Sequence, residues 1–178
     1  MPLQPGAAAP AFETTDIAGM PVSTAHYRGR KLMISFFRFA SCPYCNLRVH
    51  ELAAKADSLT GKLNVIAVFQ SPVEKLERHQ IAARLPFHII ADPQMRLFDL
   101  YDGERSTAKF ITGHLLHIPQ WFGGVARGAF KSGTDVGELR LVPADFLIDG
   151  DGVIQHAHYG RDVTDHLPLR TITSFAAG

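Results

Sequence analysis

Apolar residues in this chain come in short dense runs, separated by stretches in which they recur every three or four positions. Leu32–Phe37 and Leu63–Phe69 are runs of strand length with little polar alternation, as expected of strands covered on both faces of a sheet. Between them Leu47, Leu52, Ala56 and Leu59 approximate one helical face, with Pro43 suited to its first turn and Gly61 as its stop. Ser71-Pro72 opens a second helix, with Ser71 as cap and Glu74 as its capping-box partner, running to about Arg84. His88–Ala91 reads as a short strand, and Asp92-Pro93 starts a helical turn through Leu97 and Leu100.

Upstream, Phe12–Thr15 and Pro21–Ser23, split by Ala18-Gly19, predict a short antiparallel ribbon. Downstream, Phe146–Asp149, the turn Gly150-Asp151-Gly152 and Val153–Tyr159 predict a hairpin, and Val163–Phe175 a closing helix interrupted near Pro168. Residues 103–140 hold glycines among aromatics, with helical fragments at Phe110–Ile118 and Trp121–Phe130. They predict an insertion within a single domain spanning residues 1–178. Strands alternating with helices and closed by a hairpin describe an α/β fold with a mixed central β-sheet flanked by helices, an N-terminal β-ribbon and an insertion before the C-terminal hairpin.

At 178 residues the chain has the size of one domain with a core of its own. Its 18 basic and 17 acidic residues are well mixed, which argues against nucleic acid or an anionic membrane as partner. No apolar run approaches the ~20 residues a membrane span requires. Met1–Pro10 lacks the basic start and apolar core of a signal peptide, so the expected location is cytoplasmic.

Both cysteines of the chain stand in one motif, Cys42-Pro43-Tyr44-Cys45, between the first dense run and the first helix. A sulfur at such a junction meets unpaired backbone N–H groups and the positive end of the helix dipole, which favour thiolate over thiol. Cys42 is therefore the expected accessible, low-pKa nucleophile, and Cys45, one turn on, the resolving thiol. In a reducing compartment an isolated Cys-x-x-Cys is catalytic or metal-binding rather than structural. A structural zinc site takes four tight ligands, whereas this chain offers one cysteine pair, and His50 would point away on the helix. No metal and no organic cofactor is expected.

Arg38, four residues before Cys42, has two readings: a cation that lowers the thiol pKa, or a strand-end arginine in solvent. Ser41 has two readings, a hydrogen bond to the thiolate or, the stronger, the helix cap, and Tyr44 reads either as part of a docking surface or as an ordinary exposed aromatic in a turn. His156 and His158 share a strand face near His166 and read as an ordinary exposed surface rather than a metal site. The same holds for His114 and His117, and Trp121-Phe122-Gly123-Gly124 reads as a flap over the dithiol, a dimer contact or, the stronger reading, packing and turn.

The order strand, Cys-x-x-Cys, helix, strand, helix, then Val142-Pro143 before a hairpin resembles the thioredoxin fold. That resemblance implies a cis-proline at Pro143 facing the dithiol and shaping the substrate groove. Gly6-(x)3-Pro10-x-Phe12, Asp16–Gly19, Tyr27-Arg28-Gly29 and Ser35-Phe36-Phe37 are similar to the opening of the AhpC/TSA group. The segment Gly137–Phe146, His158 and Asp165-His166-x-Pro168 resembles its peroxiredoxin-like branch with selenoprotein L and Cys-x-x-Cys relatives. Peroxidases of the group carry Pro-x-x-x-Thr/Ser-x-x-Cys and a hairpin arginine; here those positions hold Ser35, Phe39 and Pro143. Without that hydroxyl and guanidinium, peroxide loses preorganised stabilisation unless Arg38 or Arg140 substitutes.

Pro43-Tyr44 is also the dipeptide of glutaredoxins. The leading expectation is a thiol-disulfide oxidoreductase acting in antioxidant defence or redox homeostasis. It would act on a small-molecule or protein disulfide and be regenerated by a thioredoxin- or glutathione-type electron donor. Two alternatives stand beside it: a two-cysteine peroxidase for hydrogen or alkyl peroxides, and a non-enzymatic redox sensor gating the 103–140 segment. A homodimer is expected by family analogy alone.

Overall fold

The computed structural model describes residues 1–79, 86–103 and 140–178. Its chain opens with the expected ribbon, β1 (Glu13–Thr15) antiparallel to β2 (Pro21–Ser23). Asp16 makes the turn by accepting the N–H groups of Ala18 and Met20 with one carboxylate oxygen, and Gly19 supplies the positive φ of 80°.

A 3-10 turn at Thr24–Tyr27 leads into β3 (Leu32–Phe37), all six residues of which are buried. The predicted first helix is two: α1 (Pro43–Ala53) and α2 (Ala56–Leu59), with Gly61 at φ 77° beyond them. β4 (Asn64–Phe69), α3 (Val73–Arg78), β5 (His88–Ala91) and α4 (Arg96–Leu100) follow. The hairpin is β6 (Ala144–Ile148) and β7 (Ile154–Tyr159), and α5 (Leu169–Ala177) closes the chain.

The sheet order is β5-β4-β3-β6-β7. β3, β4 and β5 are parallel, and β6 and β7 run antiparallel to their neighbours, which is the arrangement of a thioredoxin fold. One face of β3 (Met33, Phe37) packs with Val49 and Leu52 of α1, Leu59 of α2, Leu76 of α3 and Ile172 of α5. The other face (Leu32, Ile34, Phe36) packs with Phe12, Tyr27, Phe98 and Tyr101. Covering both faces explains why the strand shows no polar alternation, since each fully buried large apolar side chain contributes about 1.5–3 kcal/mol.

Three local expectations are corrected. Ser71 does not cap α3: Pro72 takes that position, and the Ser71 hydroxyl accepts the Ala40 N–H at 3.0 Å. The closing helix begins only after Pro168, its N-cap residue, because proline suits a helix start rather than its interior. At α4 the side chain of Asp92 accepts the N–H groups of Arg96, Leu97 and Phe98, so the helix starts later than the sequence suggested. Residues 80–85, and the segment holding Phe110–Ile118, His114, His117 and Trp121–Phe130, lie outside the described residues.

The loop after β7 returns to the start of β6. Gly160 donates its N–H to the Pro143 carbonyl at 2.9 Å, and a Cβ there would stand 2.6 Å from the Asp165 carbonyl and 3.0 Å from that of Asp162. Gly160→Ala is expected to destabilise the protein by about 1–3 kcal/mol, measured as a lower urea midpoint at unchanged slope.

Candidate active site

β3 runs out into a loop, Arg38–Cys42, held from two sides. Asn46, buried on α1, donates its amide N–H groups to the carbonyls of Ala40 (2.8 Å) and Cys42 (2.9 Å). Ser71, just past β4, holds the Ala40 N–H from the other side. These two polar residues fix the approach to the dithiol, and the sequence reading assigned neither that role. Asn46 carried one visible signal, a polar side chain next to the buried Cys45, Val49 and Leu52 face of α1.

Cys42 itself is the N-cap of α1. Its sulfur accepts the Cys45 N–H at 3.5 Å, so Ser41 does not fill the capping position expected of it. Arg38 is buried, and its Nη1 lies 3.7 Å from the Cys42 sulfur, with the guanidinium also over the Phe39 ring. The solvent reading of Arg38 is thereby removed. Burial pushes the Cys42 thiol up, yet the Cys45 side chain, the Arg38 cation and the N–H groups of Cys45 and Tyr44 outweigh it and lower the pKa to about 6. Cys45 moves the other way: burial, its hydrogen bond to Cys42 and the Cys42 charge hold it well above the ordinary thiol value. One sulfur is built to be thiolate and the other to remain a thiol that donates to it.

Both cysteines are free, and both are buried, with Cys42 only 1% exposed. That corrects the expectation of an accessible nucleophile, because the sulfur is enclosed in the core formed with Phe39, Tyr44 and Val163. Tyr44 is likewise buried rather than an exposed turn aromatic, and burial raises its hydroxyl pKa, with the Cys42 charge adding to the effect. Pro143 precedes β6, whose first residue pairs with Phe36, so it lies at the same end of the sheet as the dithiol. Among the described residues no peptide bond is cis, so the expected cis-proline is not found: Pro143 is trans.

Beneath the dithiol the sheet carries a polar cluster that sequence reasoning missed. Ser35 and Asp145 are cross-strand partners on β3 and β6, both fully buried. Asp145 accepts hydrogen bonds from the Ser35 hydroxyl, from His166 Nδ1 (3.0 Å) and from the Leu167 N–H (2.7 Å). Burial raises its pKa, but His166, Arg48 and Ser35 together hold it well below the usual carboxylate range. His156 and His158 share one face of β7 as expected, opposite Leu147 and Asp145, but the three histidine rings make different contacts. His166 is buried on Asp145, His158 reaches the Asp165 carbonyl at 3.2 Å, and His156 lies edge-on to Phe175. Among the described residues no group of three or more His, Cys, Asp or Glu is placed to hold a metal ion.

The AhpC/TSA family model matches residues 5–157. The chain belongs to the AhpC/TSA family. Rv2521 of Mycobacterium tuberculosis, named as a peroxiredoxin, is 31% identical over 166 residues, covering 93% of this chain and 90% of that protein. The peroxiredoxin Bcp of Escherichia coli K12 is 24% identical over 166 residues, covering 93% of this chain and 91% of Bcp. The crystal structure of the peroxidoxin BcpB from Mycobacterium tuberculosis superposes with a TM-score of 0.69 at 13% identity, covering 98% of this chain and 97% of that one. This AhpC/TSA protein is thus a thiol-dependent oxidoreductase of thioredoxin fold. Among its described residues no helix is long and apolar enough to cross a membrane.

Replacing Arg38 with Met should raise the Cys42 pKa from about 6 by about 1–3 units, read from the pH dependence of thiolate absorbance at 240 nm. The lowered pKa also links to folding. Between about 6 and the ordinary thiol value near ~8.5, the unfolded chain binds a proton that native Cys42 does not. The reduced protein should therefore gain stability as pH rises through that window and lose it as pH falls through the folded pKa. Cys42→Ser should remove this part of the slope in denaturant titrations.

Proposed function

We propose that the chain is a dithiol peroxidase in which Cys42 attacks and Cys45 resolves. The observation that carries the reading is the Arg38 guanidinium 3.7 Å from the Cys42 sulfur, a fixed cation beside the atom that would meet the peroxide. The Cys42 thiolate attacks one oxygen of a hydroperoxide, the O–O bond breaks, and the leaving alkoxide or hydroxide is stabilised by Arg38 and takes up a proton. Cys42 becomes a sulfenic acid. The Cys45 thiol then attacks that sulfur, water leaves, and the Cys42–Cys45 disulfide forms. Either one dithiol of thioredoxin type or two monothiols of glutathione type, acting in turn through a mixed disulfide, return the two electrons. The peroxiredoxin names of the relatives support the substrate class, and Arg38 supplies the donor that Phe39 and Pro143 lack.

A second reading, disulfide exchange, draws on the absence of a hydroxyl at Phe39. In it Cys42 attacks a substrate disulfide, one substrate thiolate leaves, and Cys45 attacks the mixed disulfide to release the other. The nucleophile and resolving roles are the same in both. Stopped-flow oxidation of the fully reduced protein by hydrogen peroxide, followed through its single tryptophan, separates them. The expected result is a rate orders of magnitude above that of a free thiolate, abolished by Cys42→Ser and lowered strongly by Arg38→Met. A rate no better than a free thiol assigns the chain to disulfide exchange. In either case Cys45→Ser should accumulate adducts on Cys42; adducts on Cys45 in Cys42→Ser would reverse the assignment of roles.

A further inference from the structure

We propose that Asp145 is a positioning residue for the dithiol: through Leu167 and Arg48, its buried carboxylate sets the seat of α1 and so the alignment of Cys42 with Arg38 and the Cys45 N–H. This rests on the reading of Cys42 as the nucleophile. The connection is continuous. Asp145 accepts the Leu167 N–H at 2.7 Å, and the Leu167 carbonyl accepts from Arg48 Nη2 at 2.6 Å. Arg48 stands on α1 one turn beyond Cys45 and is 5% exposed, and its charge acts on Asp145. A second arm runs through His166, whose ring bonds to Asp145 and lies 5.2 Å from the Phe37 ring at the end of β3. Phe37 is followed directly by Arg38.

One carboxylate thus ties together the two elements that carry the reacting groups, β3 with Arg38 and α1 with the cysteines. The cluster shares its core with the sulfurs: Leu167, Phe37, Cys42 and Cys45 belong to one apolar group. A buried carboxylate is costly unless every acceptor site is used. The same geometry that satisfies Asp145 therefore also restrains α1.

The test is the alkylation rate of Cys42 by iodoacetamide in the fully reduced full-length chain, followed across pH by mass spectrometry. Wild type is compared with Asp145→Asn, Arg48→Met and Phe98→Leu, the last a truncation in the core on the opposite face of the sheet. Asp145→Asn and Arg48→Met are expected to raise the midpoint by about one unit, a roughly tenfold slower reaction well below the midpoint. Phe98→Leu should lower Tm without moving the midpoint.

An unchanged midpoint in Asp145→Asn overturns the proposal. A lower one does so too, since removing a negative charge would by field alone favour the thiolate. A midpoint raised equally by Phe98→Leu would mark the effect as general destabilisation and also overturn it. Should Asp145→Asn fail to fold, Arg48→Lys decides: it keeps the positive charge and the three bonds to Asp145 while removing the Nη2 that holds the Leu167 carbonyl, and an unchanged midpoint in it overturns the proposal. A wild-type Cys42 that is alkylated no faster than Cys45 would instead remove the nucleophile reading, and the proposal with it.

Discussion

Negative charge buried in a core is the constraint around which this protein is organised. The Cys42 thiolate and the Asp145 carboxylate both lie on the α1 side of the central sheet, shielded from water. Each must be supplied with donors by the protein itself. For Cys42 these are Arg38 and the N–H groups at the start of α1; for Asp145 they are Ser35, His166 and the Leu167 backbone. Donors for both charges come from β3 and the residue after it, from the start of α1, and from the loop that Arg48 of α1 holds, so satisfying both charges restrains how that strand and helix sit.

The two faces of the sheet divide the work. Behind it Phe36, Phe98, Tyr101 and Phe146 form an edge-to-face and tilted aromatic cluster, with Phe36 and Phe98 centroids 4.9 Å apart. That face is apolar and carries stability. The front face accepts polar groups at its centre, Ser35 and Asp145, and takes on the cost of satisfying them. A stacked pair, Phe37 of β3 on its register partner Phe69 of β4 with centroids 4.6 Å apart, ends the two strands just before Arg38.

Membership in the AhpC/TSA family does not by itself settle how a peroxide would be held. The hydroxyl position is Phe39 and the hairpin arginine position is Pro143, yet a guanidinium still reaches the sulfur, from Arg38 one residue past β3. The chemistry demands a cation near the sulfur; it does not dictate which strand delivers it. The thiolate is favoured by contacts made within one short stretch, Arg38–Cys45, together with the clamps from Asn46 and Ser71. Asp145 lies beyond that stretch and connects to it through hydrogen bonds to Leu167 and from there to Arg48 of α1, and through Ser35 and His166 to β3.

Much of the fold was legible in the sequence, because β3, β5, the ribbon and the hairpin are encoded by local patterns: dense apolar runs, Gly19, and the Gly150-Asp151-Gly152 turn. Cys42 and Cys45 were legible for the same reason, since a strand-to-helix junction and a three-residue spacing are local facts. Ser71 was misread because a capping-box pattern is equally local, while its real partner, Ala40, is 31 positions away. Burial of Tyr44 and of Cys42 depends on surfaces brought from distant segments such as Val163, and Arg38 could be oriented only once those surfaces enclosed it. The pairing of Ser35 with Asp145, and of Asp145 with His166, needed strand register and a returning loop that no spacing in the chain announces. The sequence by itself thus determined the elements and the reactive pair, which follow from neighbouring residues. Only the tertiary structure decided which charges are buried and what compensates them, because desolvation and long-range hydrogen bonds exist only when remote segments meet.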